Sequence, residues 1–327
     1  MEHTATIFIA ASNPMIRSAL QRALRLRGYV HCVDQDMVPL DLTDAREVDR
    51  VFARFRPDYV FCAGGPSAGL AANRSEPADL LKDNLLVQLH VIDSACRHGV
   101  KKLLYLGSSC SYPRSCPPPM KVDDLMTGPL EPTSEPYAMA KLMGLTMVQA
   151  YRRQYGLRAI AAIPGDVFGP HDDFSDRGHV LPALMRNIHA AKEQRQPSVS
   201  IWGTGTARRF FLYAEDLADA CLFLMHHYEG ERPINLGGTV TVSIKELAQQ
   251  LKRLIGYEGT LEFTGAYGDG MPDKTLDVRP LFELGWQPKR TFREALQLTY
   301  AWFLEHHTTV ANAAAESWHK CSTGMRT

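Results

Sequence analysis

Gly107-Ser108-Ser109-Cys110-Ser111-Tyr112-Pro113 follows directly on the apolar run Lys102–Leu106, and Tyr137-Ala138-Met139-Ala140-Lys141 lies downstream. A tyrosine and a lysine four residues apart share one helix face. There the ammonium is expected to lower the phenol pKa and to hold a cofactor ribose, so that Tyr137 acts as acid or base near neutrality. A nearby hydroxyl, that of Ser108, bonds the substrate oxygen that gains or loses the proton. Hydride transfer at a carbonyl needs this set: a proton donor, a cation that tunes it and a group that polarises the oxygen. A tyrosine–lysine pair alone is common by chance and equally suits a solvated helix face. A strand-terminal Ser-Ser ahead of it makes the pattern specific.

The elements that must position these residues alternate through the first half. Ala5–Ala11 reads as a strand, and Met15–Gly28 has helical spacing with a terminal glycine. Tyr29–Val33 reads as a short strand, and Asp44 caps a helix through Phe55. Asp58–Ala63, Lys102–Leu106 and Leu157–Ile163 are further strands, while Leu81–His98 and Tyr137–Tyr155 are helices. Continuous apolar strands separated by helices predict right-handed crossovers and an α/β, Rossmann-like, doubly wound parallel sheet. Residues 1–165 then form a dinucleotide-binding domain. After Gly165 the rhythm changes: a loop at Gly169–His179, a helix at Leu181–Ala191, strands at Ser198–Trp202 and Arg209–Tyr213, and helices at Glu215–His227, Ser243–Leu254 and Thr291–His306. Residues 166–306 read as a smaller C-terminal substrate-binding lobe with some strands returning to the sheet, and 307–327 as a flexible tail.

Composition narrows the partners. The 327 residues carry 36 Lys+Arg against 36 Asp+Glu, so nucleic acid and anionic membrane are not expected as main partners. The apolar runs are too short to span a bilayer, and Met1-Glu2-His3 opens no signal-like segment. Seven scattered cysteines without a CxxC pair exclude a disulfide framework and a zinc ribbon; no metal is expected, and the cytoplasm is.

Beyond these patterns the chain resembles the GDP-L-fucose synthase family of the extended short-chain dehydrogenase/reductases. The resemblance rests on GSSCSYP (107–113), LEPTSEPYAMAK (130–141), FGPHDDF (168–174), HVLPALMR (179–186), WGTGTARRFF (202–211) and LGW (284–286). It implies epimerisation of GDP-4-keto-6-deoxy-D-mannose at C3 and C5, then reduction of the C4 ketone by NADPH. It assigns Ser108, Tyr137 and Lys141 to the reduction, and Cys110 and His179 to the epimerisation as an acid/base pair. Protons beside a ketone are acidified by enolate formation, and thiol and imidazole titrate close enough to neutrality to exchange those roles. Taken alone, Cys110 also suits a small buried thiol. By the same resemblance Trp202, Arg209 and Asp269 contact GDP. A core tryptophan, a surface ion pair and a turn aspartate remain the plainer alternatives. Arg186 stands for the family's basic residue at the end of its helix, with Asn187 weakening one expected phosphate contact. Relatives commonly pair through two helices, so a homodimer through Leu81–His98 and Tyr137–Tyr155 is expected.

One stretch departs from the family. Where a GxxGxxG turn should cradle a pyrophosphate, the chain reads Ala11-Ser12-Asn13-Pro14-Met15-Ile16-Arg17. Ala11 adds a Cβ where positive φ is expected, Pro14 removes an N–H, and Arg17 either snorkels or points into the cofactor cleft. At the end of the second strand Asp34 and Asp36 stand where a basic residue would favour NADPH, so they suit a ribose diol. Ala63 keeps the cofactor path small. Ile163-Pro164-Gly165-Asp166 replaces the family's Pro-Thr-Asn stretch near the nicotinamide. Three readings stay open: an epimerase–reductase with a remodelled turn, using NADPH or NADH; an epimerase without hydride transfer; and a non-catalytic nucleotide-sugar-binding homologue.

Overall fold

Strands that are apolar along their whole length must be covered on both faces. In the computed structural model, which describes residues 1–266 and 268–306, they are. In chain order the elements are β1 (Ile7–Ala11), α1 (Pro14–Leu26), β2 (Cys32–Val33), α2 (Ala45–Phe55), β3 (Tyr59–Gly64), α3 (Leu70–Ser75), α4 (Pro77–Arg97), β4 (Lys102–Leu106), α5 (Glu135–Tyr155), β5 (Ala159–Pro164) and β6 (Asp166–Phe168). There follow α6 (Val180–Glu193), β7 (Ser198–Ile201), β8 (Arg208–Tyr213), α7 (Ala214–His227), β9 (Ile234–Leu236), β10 (Thr241–Ser243), α8 (Ile244–Ile255), β11 (Thr260–Phe263), α9 (Arg279–Glu283) and a last helix, α10, at 292–306.

Six strands form a wholly parallel sheet in the order β2-β1-β3-β4-β5-β9. The order reverses between β1 and β3, which opens a crevice beyond their carboxyl ends. One face packs on α2, α4 and α5 through Phe8, Phe52, Val87, Val91 and Tyr105. The other packs on α1 and α7 through Ile7, Ile9, Leu20, Leu217 and Leu224. A third core joins the β10-β8-β6 sheet to α6, α8 and α10 through Phe168, Met185, Phe211, Leu247 and Phe303.

Local sequence explains most boundaries. Asp44 accepts the Arg46 and Glu47 amides at the start of α2. Pro77 opens α4 four residues before its apolar periodicity becomes readable, because proline is pre-shaped for a first helical turn. The strand expected over Tyr29–Val33 shrinks to Cys32–Val33. Tyr29 instead turns into the core, where its hydroxyl reaches the Met1 carbonyl and His226, while Val30 is exposed. The short strands β6 and β9 carry too few residues to show a period. The tail from 307, with Trp318 and Cys321, lies outside the described residues.

Candidate active site

Ser108 lies two residues past the end of β4, where the chain turns. Its Oγ accepts the Cys110 amide at 3.2 Å, starting a single 3-10 turn that aims the Cys110 thiol outward beside Ser108. Tyr137 sits in the first turn of α5, with Ser108 as its hydrogen-bond partner. One turn on, Lys141 is buried, and its ammonium donates to the carbonyls of Ala63 (3.3 Å) and Leu106 (3.1 Å) at the ends of β3 and β4. Gly64 makes room for it: φ there is +88°, and a Cβ would stand 2.3 Å from Nζ.

The expected lowering of the phenol pKa is not what the structure gives. Burial, and then the neighbouring Cys110, push Tyr137 above the ordinary phenol value. The Lys141 ammonium lies 6.0 Å from the Tyr137 ring centre and is spent on two carbonyls, too distant to outweigh desolvation. Burial acts on Lys141 as well and brings its pKa down to about 8.

Opposite these groups His179 begins α6, half-buried at the cleft wall, with its pKa lowered by burial against the pull of Asp166. Asp166 lies on β6, 3.6 Å from Arg209 Nε and 3.5 Å from Lys274 Nζ. Lys274 Nζ in turn donates to Cys110 Sγ at 3.3 Å. Asn13, Met15, Ile16, Ala63, Ser108, Cys110, Tyr137, Lys141, His179 and Arg209 therefore line one cleft, beside Asp166 and Lys274. Sequence reasoning missed Lys274 as a site residue, and noticed Asp166 only as a change of motif. Asp166 had a signal in its place just past a strand. Lys274 had none, since 164 residues of chain separate it from Cys110.

Arg17, Asp34, Arg186, Trp202 and Asp269 are not among the residues that line this cleft. Arg17 neither snorkels to solvent nor points inward: Nε and Nη2 grip Asp36 at 3.0 and 2.9 Å, and Nη1 donates to the Ala11 carbonyl at 2.8 Å. The ion pair holds the Asp36 carboxyl below its ordinary pKa. Asp34 is buried and shapes the loop after β2, accepting the amides of Asp36 and Met37 and the Gln21 side chain. Ser12 donates its amide to the Gly64 carbonyl, and Asn13 caps α1 through the Ile16 amide. None of residues 11–17 adopts positive φ, so the turn does without the backbone form that glycine would supply. Further out, Arg186 pairs with Asp176 and bonds the Phe174 carbonyl. Trp202 is half exposed rather than core, and the Asp269 carboxylate takes the amide and hydroxyl of Thr204. Asp269 still helps the site indirectly, because its main-chain carbonyl accepts Arg209 Nη2 at 3.1 Å.

Residues 7–237 match the NAD dependent epimerase/dehydratase family. The putative GDP-L-fucose synthase 2 of Arabidopsis thaliana is 44% identical over 307 residues, covering 94% of both chains. The GDP-L-fucose synthase of Escherichia coli K12 is 40% identical over 310 residues, covering 92% of this chain and 97% of its own. The chain is an enzyme of the GDP-L-fucose synthase family. Solved structures agree with that placement. A GDP-L-fucose synthetase from Naegleria fowleri bound to NADP superposes with a TM-score of 0.85 at 26% identity, over 94% of this chain and 95% of that one. A GDP-6-OMe-4-keto-L-xylo-heptose reductase from C. jejuni gives 0.89 at 29%, over 94% and 99%. These relatives are synthases and reductases of GDP sugars, which favours neither the epimerase-only nor the non-catalytic reading.

Proposed function

We propose that this enzyme inverts C3 and C5 of GDP-4-keto-6-deoxy-D-mannose and then reduces the C4 ketone, with residues 1–165 serving the dinucleotide and 166–306 the nucleotide sugar. The observation that carries the reading is the convergence of Ser108, Tyr137 and Lys141 with Cys110 and His179 on one cleft at the carboxyl ends of β4 and β5. Cys110 as thiolate takes the proton beside the ketone, and the C–H electron pair moves to the carbonyl oxygen as an enolate. His179 as imidazolium returns a proton to the opposite face of the same carbon. In the second reaction Ser108 and Tyr137 hold the C4 oxygen, and Tyr137 supplies its proton.

The residues present fit a nicotinamide dinucleotide. The buried Lys141 ammonium lies against the Gly64 cradle with main-chain carbonyls as its partners, and the capped start of α1 faces the crevice where the strand order reverses. When bound, the cofactor supplies the hydride for C4. Lys141 holds its ribose, and Asn13, Met15, Ile16 and Ala63 line its path. We take NADPH as the preferred form. A 2′-phosphate would exchange with the exposed Asp36 carboxylate on the Arg17 fork, a fixed bidentate donor.

Among the described residues no helix is long and apolar enough to cross a membrane, and the six described cysteines are unpaired. Both facts support a cytoplasmic setting. Leu89 on α4 and Met139, Met143 and Tyr155 on α5 are exposed on two helices that pack side by side, which supports pairing of two copies there. Incubation with the 4-keto sugar and NADPH in heavy water tests the function. Deuterium at C3 and C5 together with NADPH oxidation is expected; absence of both overturns it.

A further inference from the structure

Lys274 stands at hydrogen-bond distance from Cys110, yet the two reactions above give it no task. The backbone that carries it is held in place. Its amide donates to the Arg208 carbonyl, Asp273 accepts the Thr275 amide and hydroxyl, and Leu276 bridges to Met120. Only 13% of its side chain is exposed, so the ammonium is committed to this neighbourhood. Asp166 lies between Lys274 and Arg209 on a strand paired to β8, and offsets two cations that would otherwise repel. Burial opposes charge on Lys274, but Asp166 and then Cys110 outweigh it, and the lysine keeps its proton above the ordinary value.

On the reading that Cys110 and His179 exchange the protons of epimerisation, we propose that Lys274 is a positioning residue that holds the Cys110 sulfur as a thiolate toward the substrate, and that Asp166 keeps Lys274 in place. The Cys110–His179 pair carries one proton before the reaction. An ammonium beside the sulfur lowers the energy of the thiolate, while burial and the same ammonium both act to lower the His179 pKa. The Asp166 carboxylate favours the imidazolium and opposes the burial that disfavours it. The charged and titratable groups facing the pair are thus Asp166 from β6, Arg209 from β8, Lys274 from the 273–277 segment, Tyr137 from α5 and Asp173 from the loop before α6. Asp166 matters in particular because an amide at that position would not offset the two cations.

The test is alkylation of Cys110 by iodoacetamide in the full chain without substrate, followed by mass spectrometry of its peptide between about pH 6 and 9. Lys274→Met should slow labelling at neutral pH about tenfold and move its rise upward by about one pH unit. Lys274→Arg should keep most of the wild-type rate, and Asp166→Asn should fall between. Deuterium entry at C3 and C5 should decline in the same order. A Lys274→Met labelling profile that superposes on the wild type overturns the proposal. So does weakened GDP binding with unchanged labelling, which would assign Lys274 to the diphosphate alone. If Lys274→Met does not fold, Asp166→Asn decides: slower labelling supports the proposal and unchanged labelling overturns it. Labelling needs no turnover. An absence of deuterium entry in the wild type therefore sinks the epimerase reading separately from the labelling result.

Discussion

The two ends of the cleft have been treated differently. At the end proposed to hold the sugar, Ser108, Cys110, Tyr137 and Lys141 line the cleft with His179 opposite them. At the end proposed to hold the dinucleotide, residues 11–17 contain no glycine, and the turn is built from an Asn13 cap, a Pro14 first turn and an Arg17–Asp36 clasp. The difference follows from what each end must do. Acid–base chemistry depends on particular functional groups at particular places. A turn depends on a backbone path, and several side-chain solutions can hold one.

That contrast is sharpest at Tyr137. Tyr137→Phe should lower ketone reduction by about 10²–10⁴-fold, read as NADPH oxidation, while deuterium still enters C3 and C5. Loss of both together would mean that the two chemistries are not separable within the sugar end. Cys110→Ser should do the reverse, costing exchange at C3 and C5 about a hundredfold and reduction of a supplied ketone much less. Equal losses would remove Cys110 from its assigned role.

Smaller effects are expected at the rebuilt end. Arg17→Gly should weaken NADPH binding about tenfold, or about 1.4 kcal/mol, and NADH binding less. Asp36→Asn should tighten NADPH severalfold by freeing the fork; calorimetric titration with both dinucleotides checks each. Tighter NADPH binding in Arg17→Gly would make Arg17 a tolerated filler. Between the two ends, Gly64→Ala should destabilise by about 1–2 kcal/mol in thermal melts, because its φ of +88° disfavours any Cβ. The added methyl would also press on Lys141.

Lys141 itself gives a pH signature. With its pKa lowered to about 8, the folded chain loses the proton before the unfolded chain does. Between that value and the ordinary 10.5 the unfolded state binds more protons, so stability rises with pH. Lys141→Met should therefore gain stability over the wild type at pH 7, with the advantage shrinking above about pH 8. A constant difference across that range would show that Lys141 is not desolvated.

Much of the architecture was readable from residue order. The buried strands announced themselves as unbroken apolar runs and α2 by its Asp44 cap. What escaped were β6 and β9, too short for a period, and the first turn of α4, where Pro77 rather than periodicity sets the boundary. Trp202 is half exposed, and the Asp269 carboxylate takes the amide and hydroxyl of Thr204.

The sequence by itself determined the sheet and the family, because those depend on local periodicity and on motif residues. Only the tertiary structure decided which charges meet. It paired Arg17 with Asp36 instead of leaving either free, and raised the Tyr137 phenol where a neighbouring lysine had been expected to lower it. It also carried Lys274 to the Cys110 sulfur. Electrostatic effects fall off with distance and depend on burial, and neither quantity is written in residue order.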